Sequence, residues 1–256
     1  MAELHYTRAG EGPPLLILHG LFGSSRNWQS LARRYAEHFD VVCVDLRNHG
    51  QSFHAETMNY PVMAEDVARL AAALDLVDLR MIGHSMGGKV AMTLVHDQPG
   101  LIERLVVADI APVEYTHEYD DLLNAVLALD LAQFDSRAAI DNALAAAIPD
   151  QGLRAFLLHN LARDGEAWQW RVNWAAIRRQ IGELTGFDSF AADWHSGLSV
   201  QFLRGSDSDY VNGATFETIR RHFPAAQIDT VSEAGHWLHA ERPNEFMRLS
   251  LDFLLQ

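Results

Sequence analysis

In Leu79-Arg-Met-Ile-Gly-His-Ser-Met-Gly-Gly-Lys89, a short apolar run meets a helical pattern across a serine flanked by glycines. Leu79 to Ile82 suits a strand buried on both faces, and Met86 to His96 has helical periodicity. Between them, Gly83-His84-Ser85-Met86-Gly87 is a G-x-S-x-G turn in the strand–turn–helix context that this motif requires. So tight a reversal forces the central serine into a strained backbone conformation, and side chains two residues to either side would collide. Glycines at 83 and 87 remove those collisions, and Gly88 lets the helix pack close to its neighbours. The predicted outcome is a serine hydroxyl displayed at the end of a strand.

The same alternation extends in both directions. Pro14 to Leu18, Val41 to Val44, Leu105 to Ala108 and Ser199 to Leu203 are further short runs rich in Val, Ile and Leu, and Gln227 to Val231 reads as one more strand. Between and around them, amphipathic segments run over Trp28 to His38, Ala64 to Leu74, Ala214 to His222 and Asn244 to Leu254. Strands alternating with helices predict right-handed βαβ units, hence an α/β fold with a mostly parallel central sheet and helices on both faces. There is no internal repeat and no low-complexity tract.

One stretch breaks the alternation. Asp109 to Ser199 is far longer than one crossover helix requires. Residues 118–186 read as several short helices, with Phe134, Phe156, Trp168, Trp170 and Trp174 scattered among them and Phe187 just beyond. The expected organisation is a core of residues 1–117 and 187–256 with a helical cap, 118–186, inserted over the carboxyl ends of the strands. Ligands of open parallel sheets bind at that end. A separate helical subdomain with no role in the site is the alternative.

A serine hydroxyl is a weak nucleophile until a base takes its proton, and His236 in Gly235-His236-Trp237 is the candidate base. Acyl transfer also needs donors aimed at the oxyanion of its tetrahedral intermediate. His19-Gly20 closes the strand Pro14 to Leu18, so the backbone amides of Leu21 or Phe22, together with Met86, are the candidates. The chain order is serine, then acids, then histidine.

These residues resemble the α/β-hydrolase superfamily. More closely, the chain is similar to the YbfF-type bacterial esterases and their mitochondrial relatives among the alpha/beta-hydrolase domain proteins. The strings that carry the likeness are His19-Gly-Leu-Phe-Gly-Ser24, Asp45-Leu-Arg-Asn-His-Gly50, Gly83-His-Ser-Met-Gly-Gly-Lys89, Asp109-Ile-Ala-Pro112 and Gly235-His-Trp-Leu-His-Ala240. Tyr60 with Met63-Ala-Glu-Asp66, and Trp170-Arg-Val-Asn173, are similar too. The resemblance implies an α/β-hydrolase fold and a serine carboxylesterase acting on short acyl esters without a cofactor, with acyl-thioester activity within its range. An insertion rich in Trp and Phe agrees with short acyl chains, on the order of two to eight carbons.

The acid that orients His236 has two candidate locations. Most α/β-hydrolases carry it after the strand that here runs from Ser199 to Leu203, about three residues beyond a glycine. Counting from Gly205 gives Ser208, which holds no charge, although Asp207 and Asp209 flank it. The other location is Asp109, at the end of the preceding strand, and the YbfF-type esterases resemble that arrangement with the serine as an accessory hydrogen-bonding group. An acid buried at a strand end also binds an imidazolium more strongly. Asp109 is the expected acid and Ser208 the expected accessory group.

Composition excludes other classes. Hydrophobic residues make up 48% and charged residues 21% of the chain, as in an ordinary soluble globular protein. A net charge of −14 repels phosphate backbones and anionic lipid, so a small-molecule ester is the expected partner and nucleic acid and membrane surfaces are not. No apolar run approaches the ~18 residues of a membrane span. Met1-Ala2-Glu3-Leu4-His5 does not read as a signal peptide, and the single cysteine, Cys43, lies in an apolar run, so a reducing cytoplasm is the expected location.

Gly83 and Gly88-Lys89 also satisfy G-x-x-x-x-G-K, with Asp109 as a candidate magnesium ligand, but Val90 stands where a phosphate loop needs Ser or Thr. His236 and His239 lack a partner at a zinc-binding spacing, so no metal is expected and His239 should simply pack. Asp45, Arg47 and His49 are expected to bond their own turn. Fold does not fix function, so a lyase, C–C hydrolase, perhydrolase or small-molecule receptor remains an alternative; a haloalkane dehalogenase would need Asp in place of Ser85.

Overall fold

The computed structural model describes residues 3–116, 119–165 and 167–256. Its strands are β1 (Tyr6–Ala9), β2 (Pro14–Leu18), β3 (Asp40–Val44), β4 (Leu79–His84), β5 (Ile102–Ala108), β6 (Leu161–Asp164), β7 (Ala167–Trp170), β8 (Ser199–Gly205) and β9 (Gln227–Val231). Seven of them form one sheet in the order β1-β3-β2-β4-β5-β8-β9, parallel throughout except for β1, which runs antiparallel to β3. This is the expected α/β-hydrolase architecture.

The helices are α1 (Gln29–Tyr35), α2 (Tyr60–Ala73), α3 (Met86–Asp97), α4 (Asp120–Ala128), α5 (Arg137–Leu144), α6 (Gln151–Leu158), α7 (Trp174–Thr185), α8 (Gly213–His222), α9 (Leu238–Glu241) and α10 (Pro243–Leu254). Alternate residues of a strand serve opposite faces of the sheet. Leu16, Leu18, Val42 and Val44 join one apolar cluster with Val67 of α2 and Val90 of α3, whereas Leu15, Ile17, Val41 and Cys43 join another with Leu31 of α1 and Phe253 of α10. Strands buried on both sides have no polar face to show, which is why they read as unbroken apolar runs.

Two elements depart from the sequence expectation. β1 was not foreseen, because Tyr6-Thr-Arg-Ala9 is an edge strand, mostly exposed and with little apolar signal. The stretch 118–186 holds a hairpin, β6–β7, besides its helices. The turn begins at Gly165, whose φ of +60° glycine adopts freely. The boundary proposed at 117/118 lies outside the described residues. Leu123, Val126, Ile140, Leu144 and Leu157 of the insertion belong to the same apolar cluster as Leu16 and Val44 of the sheet. Among the described residues the apolar cluster of the insertion is continuous with that of the sheet.

Candidate active site

β4 delivers Ser85 at φ +51°, ψ −120°, and α3 begins at the next residue. A Cβ at Gly83 would stand 2.5 Å from the Gly87 carbonyl oxygen, and one at Gly87 would stand 2.6 Å from that of Leu18. The turn closes only with glycine at both positions.

The Ser85 hydroxyl lies 3.0 Å from His236 Nε2, and His236 Nδ1 lies 2.8 Å from Asp109 Oδ2. Sequence positions far apart in the chain thus meet in one hydrogen-bonded line. Asp109 directly follows β5 at φ +51° and is fully buried. Its Oδ1 accepts the Gly205 amide at 3.1 Å, and its Oδ2 also accepts the Ser208 hydroxyl in a short hydrogen bond. Asp207 and Asp209 are exposed, and Asp207 Oδ1 accepts the Ser206 hydroxyl instead. Tyr210 stacks on the His236 ring at 3.9 Å and 15°, covering one face of the imidazole.

Of the three amides named for the oxyanion, Phe22 N–H donates to His49 Nε2 at 3.1 Å and is not free to face the serine. The amides of Leu21 and Met86 have no hydrogen-bond acceptor among the described residues. The loop carrying Leu21 is braced on several sides. His19 Nε2 accepts the Leu46 amide at 3.0 Å, while Asn160 of the insertion donates to the Phe22 carbonyl at 2.7 Å. Both bracing histidines must stay neutral to accept these bonds, and burial lowers the pKa of each, that of His49 to about 3. His84 is buried too, with its pKa held well below the ordinary value, and its Nε2–H donates to the His236 carbonyl at 2.8 Å.

Ser85, His236 and Leu21 open onto a cavity of about 260 Å³ lined by Phe22, Tyr119, Leu122, Leu153, Phe156 and Trp237 among others. A nucleophile with its base, a buried acid behind the base and unpaired amides beside the nucleophile can together perform acyl transfer at a carbonyl carbon.

The remaining expectations fall as follows. Asp45 accepts the Ser25 and Gln51 amides at 2.7 and 2.9 Å, and Arg47 pairs with buried Asp66 at 2.6 Å, so both bond their own surroundings. His239 lies flat on Trp28 at 4.3 Å. Among the described residues no group of three or more His, Cys, Asp or Glu side chains could hold a metal, and no helix is long and apolar enough to cross a membrane. Lys89 donates to the carbonyls of Thr185 and Gly186 at 3.1 and 2.8 Å, an arrangement unlike a phosphate-cradling loop. Sequence reasoning took His49 for a turn residue and did not single out Tyr210. The selective string Asp45-Leu-Arg-Asn-His-Gly50 was the only signal for His49, and Tyr210 gave none.

Residues 13–243 match the family described as alpha/beta hydrolase fold. The chain belongs to the alpha/beta hydrolase fold family. It is 38% identical over 250 residues to the sn-1-specific diacylglycerol lipase ABHD11 of Mus musculus, covering 94% of this chain and 81% of that protein. It is 34% identical over 236 residues to esterase YbfF of Escherichia coli, covering 92% and 90%. Among solved structures, a marine microorganism esterase superposes with a TM-score of 0.95 at 36% identity, covering 99% of this chain and 100% of that one. The resemblance read from the sequence is thereby borne out, and by family this alpha/beta hydrolase is an enzyme.

Proposed function

We propose that this protein is a serine carboxylesterase that hydrolyses short-chain acyl esters, with acyl thioesters inside its range. The observation that carries the proposal is the unbroken line Ser85 Oγ–His236–Asp109 at 3.0 and 2.8 Å, opening on an apolar cavity. Relatives named esterase or lipase support the same reaction class.

In this mechanism His236 Nε2 takes the Ser85 proton as Oγ attacks the acyl carbon. The Leu21 and Met86 amides hold the resulting oxyanion, and Asp109 stabilises the imidazolium through the Nδ1–H bond. The oxyanion collapses, the bond to the leaving oxygen or sulfur breaks, and His236 returns its proton to that atom. Water, deprotonated by His236, then attacks the acyl-enzyme; collapse of the second intermediate frees the acid and restores Ser85. Ser208 fixes the Asp109 carboxylate from behind. Residues 118–186 act as a cap over the core formed by 1–117 and 187–256, because Phe156 and Leu153 of α6 and Leu122 of α4 wall the cavity.

The test is a panel of 4-nitrophenyl esters and acyl-CoA thioesters of increasing chain length, run with the wild type and Ser85→Ala. Turnover should favour butyryl over palmitoyl esters, and Ser85→Ala should lose roughly 10⁴-fold or more in kcat with its fold intact. Saturable ligand binding without turnover would favour a receptor instead.

A further inference from the structure

Ser85 also bounds a second, smaller cavity of about 30 Å³, together with Met86, Tyr60, Tyr115, Leu184 and Lys89. Lys89 lies in the first turn of α3, four residues beyond Ser85, and both residues bound the cavity. The Lys89 side chain is 1% exposed and has no carboxylate in ion-pair contact among the described residues. An ammonium has three N–H donors. Two of them are held by the Thr185 and Gly186 carbonyls, and rings of Tyr60, Tyr115 and Phe187 lie 5.4, 5.0 and 5.5 Å from Nζ. The neighbouring hydroxyls are committed elsewhere: Tyr60 donates to the Leu184 carbonyl in a short bond, and Tyr115 donates to the Tyr210 carbonyl at 2.7 Å.

We propose that this cavity is an acyl subsite in which the third N–H of Lys89 receives a distal carboxylate, so that the enzyme favours half-esters of short dicarboxylic acids. The inference rests on the serine-esterase function proposed above. A buried cation without an anionic partner is costly, and a carboxylate arriving with the substrate supplies one. The volume suits a carboxylate, being room for one or two waters, and is too small for a long alkyl chain. Burial lowers the Lys89 pKa to about 7, opposed only by Glu114 through space; the phenols of Tyr60, Tyr115, Tyr119 and Tyr210 around the cavity are pushed upward and stay neutral. The preference for a charged acyl group should therefore be strongest below pH 7 and fade above it, down to the pH at which the substrate carboxyl itself protonates.

The experiment compares monoethyl succinate with its uncharged primary amide, ethyl succinamate, by released ethanol at pH 6. The ratio of kcat/KM values cancels whatever the two substrates share in the acyl-transfer step. Wild type should favour the half-ester by about tenfold or more, and Lys89→Met should bring the ratio to about threefold or less. Free succinate should compete with 4-nitrophenyl butyrate at least tenfold more tightly than the uncharged diamide succinamide, a comparison that decides the matter on wild-type protein should Lys89→Met fail to fold. A wild type that hydrolyses 4-nitrophenyl butyrate but treats both ethyl esters and both inhibitors alike overturns the subsite and leaves the esterase standing. If Ser85→Ala and wild type prove equally inert towards neutral esters, the esterase function falls, while calorimetric binding of succinate to Ser85→Ala still decides the subsite.

Discussion

Replacing Asp109 by Asn removes one charge and almost nothing else. The backbone there sits at φ +51°, a conformation that Asn tolerates nearly as well as Asp, so the turn at the end of β5 should hold. The fully buried carboxylate accepts three hydrogen bonds, from His236 Nδ1, Ser208 Oγ and Gly205 N. An amide has one oxygen for these donors. If its NH₂ faces His236, the imidazole must accept at Nδ1 and carry its proton on Nε2, where it can no longer take the Ser85 proton. If its oxygen faces His236, Gly205 N–H meets an NH₂ group, and the imidazolium of the transition state loses its counter-charge. Either way kcat should fall roughly a thousandfold or more, about 4 kcal/mol or more of transition-state stabilisation. Initial rates with 4-nitrophenyl butyrate, normalised by active-site titration and paired with circular dichroism, measure the effect. Asp207→Asn should change kcat less than about twofold, since that side chain is exposed and bonds only to Ser206 Oγ among the described residues. A damaging Asp207→Asn beside a nearly silent Asp109→Asn would refute the assignment.

His49→Phe strands the Phe22 amide, so stability should drop by about 1–3 kcal/mol in denaturant titrations and kcat should fall about tenfold with little change in KM; an unchanged kcat would separate His49 from the oxyanion loop. The folded state holds His49 and His239 near a pKa of about 3, against 6.5 unfolded. The unfolded chain therefore binds more protons between these values, and unfolding free energy should fall by about 3 kcal/mol between pH 6.5 and 5 from these two groups alone; a flat profile would contradict their neutral burial. Burial pushes the Cys43 thiol up to about 12, so Ellman's reagent should leave native protein unlabelled at pH 8 and label it fully in guanidinium; rapid native labelling would show an accessible thiol.

What the sequence disclosed, and what it hid, divides along physical lines. Ser85 and His236 were legible because a strained turn and a base impose glycines and a residue type that stand out locally. Asp109 was legible only by elimination and likeness, for nothing near it in sequence reveals that Gly205 and Ser208 converge on its carboxylate. The buried strands announced themselves by composition, whereas β1 at the sheet edge and the hairpin β6–β7 carry few apolar residues or an alternation too short to outweigh its helical neighbours. His49 and Tyr210 act through tertiary contact, one from the Asp45–Gly50 turn to the Phe22 amide and the other over an imidazole from a distant loop. Such roles belong to the folded chain and leave no periodic trace.

Ser85 and Asp109 leave the carboxyl ends of β4 and β5, which lie side by side with Gly83 opposite Val107 and His84 opposite Ala108. A single crossover through α3 joins them. The proposed nucleophile and its proposed acid are thus near neighbours along the chain, joined by one βαβ unit, and only the histidine arrives from the far end. In a growing polypeptide both residues are made before the insertion and the C-terminal third, but the bonds that hold the Asp109 carboxylate come from Gly205, Ser208 and His236, so its setting waits on long-range pairing. What β8 and the connection after it bring to the Asp109 carboxylate is the Gly205 amide and the Ser208 hydroxyl, with no charge of their own.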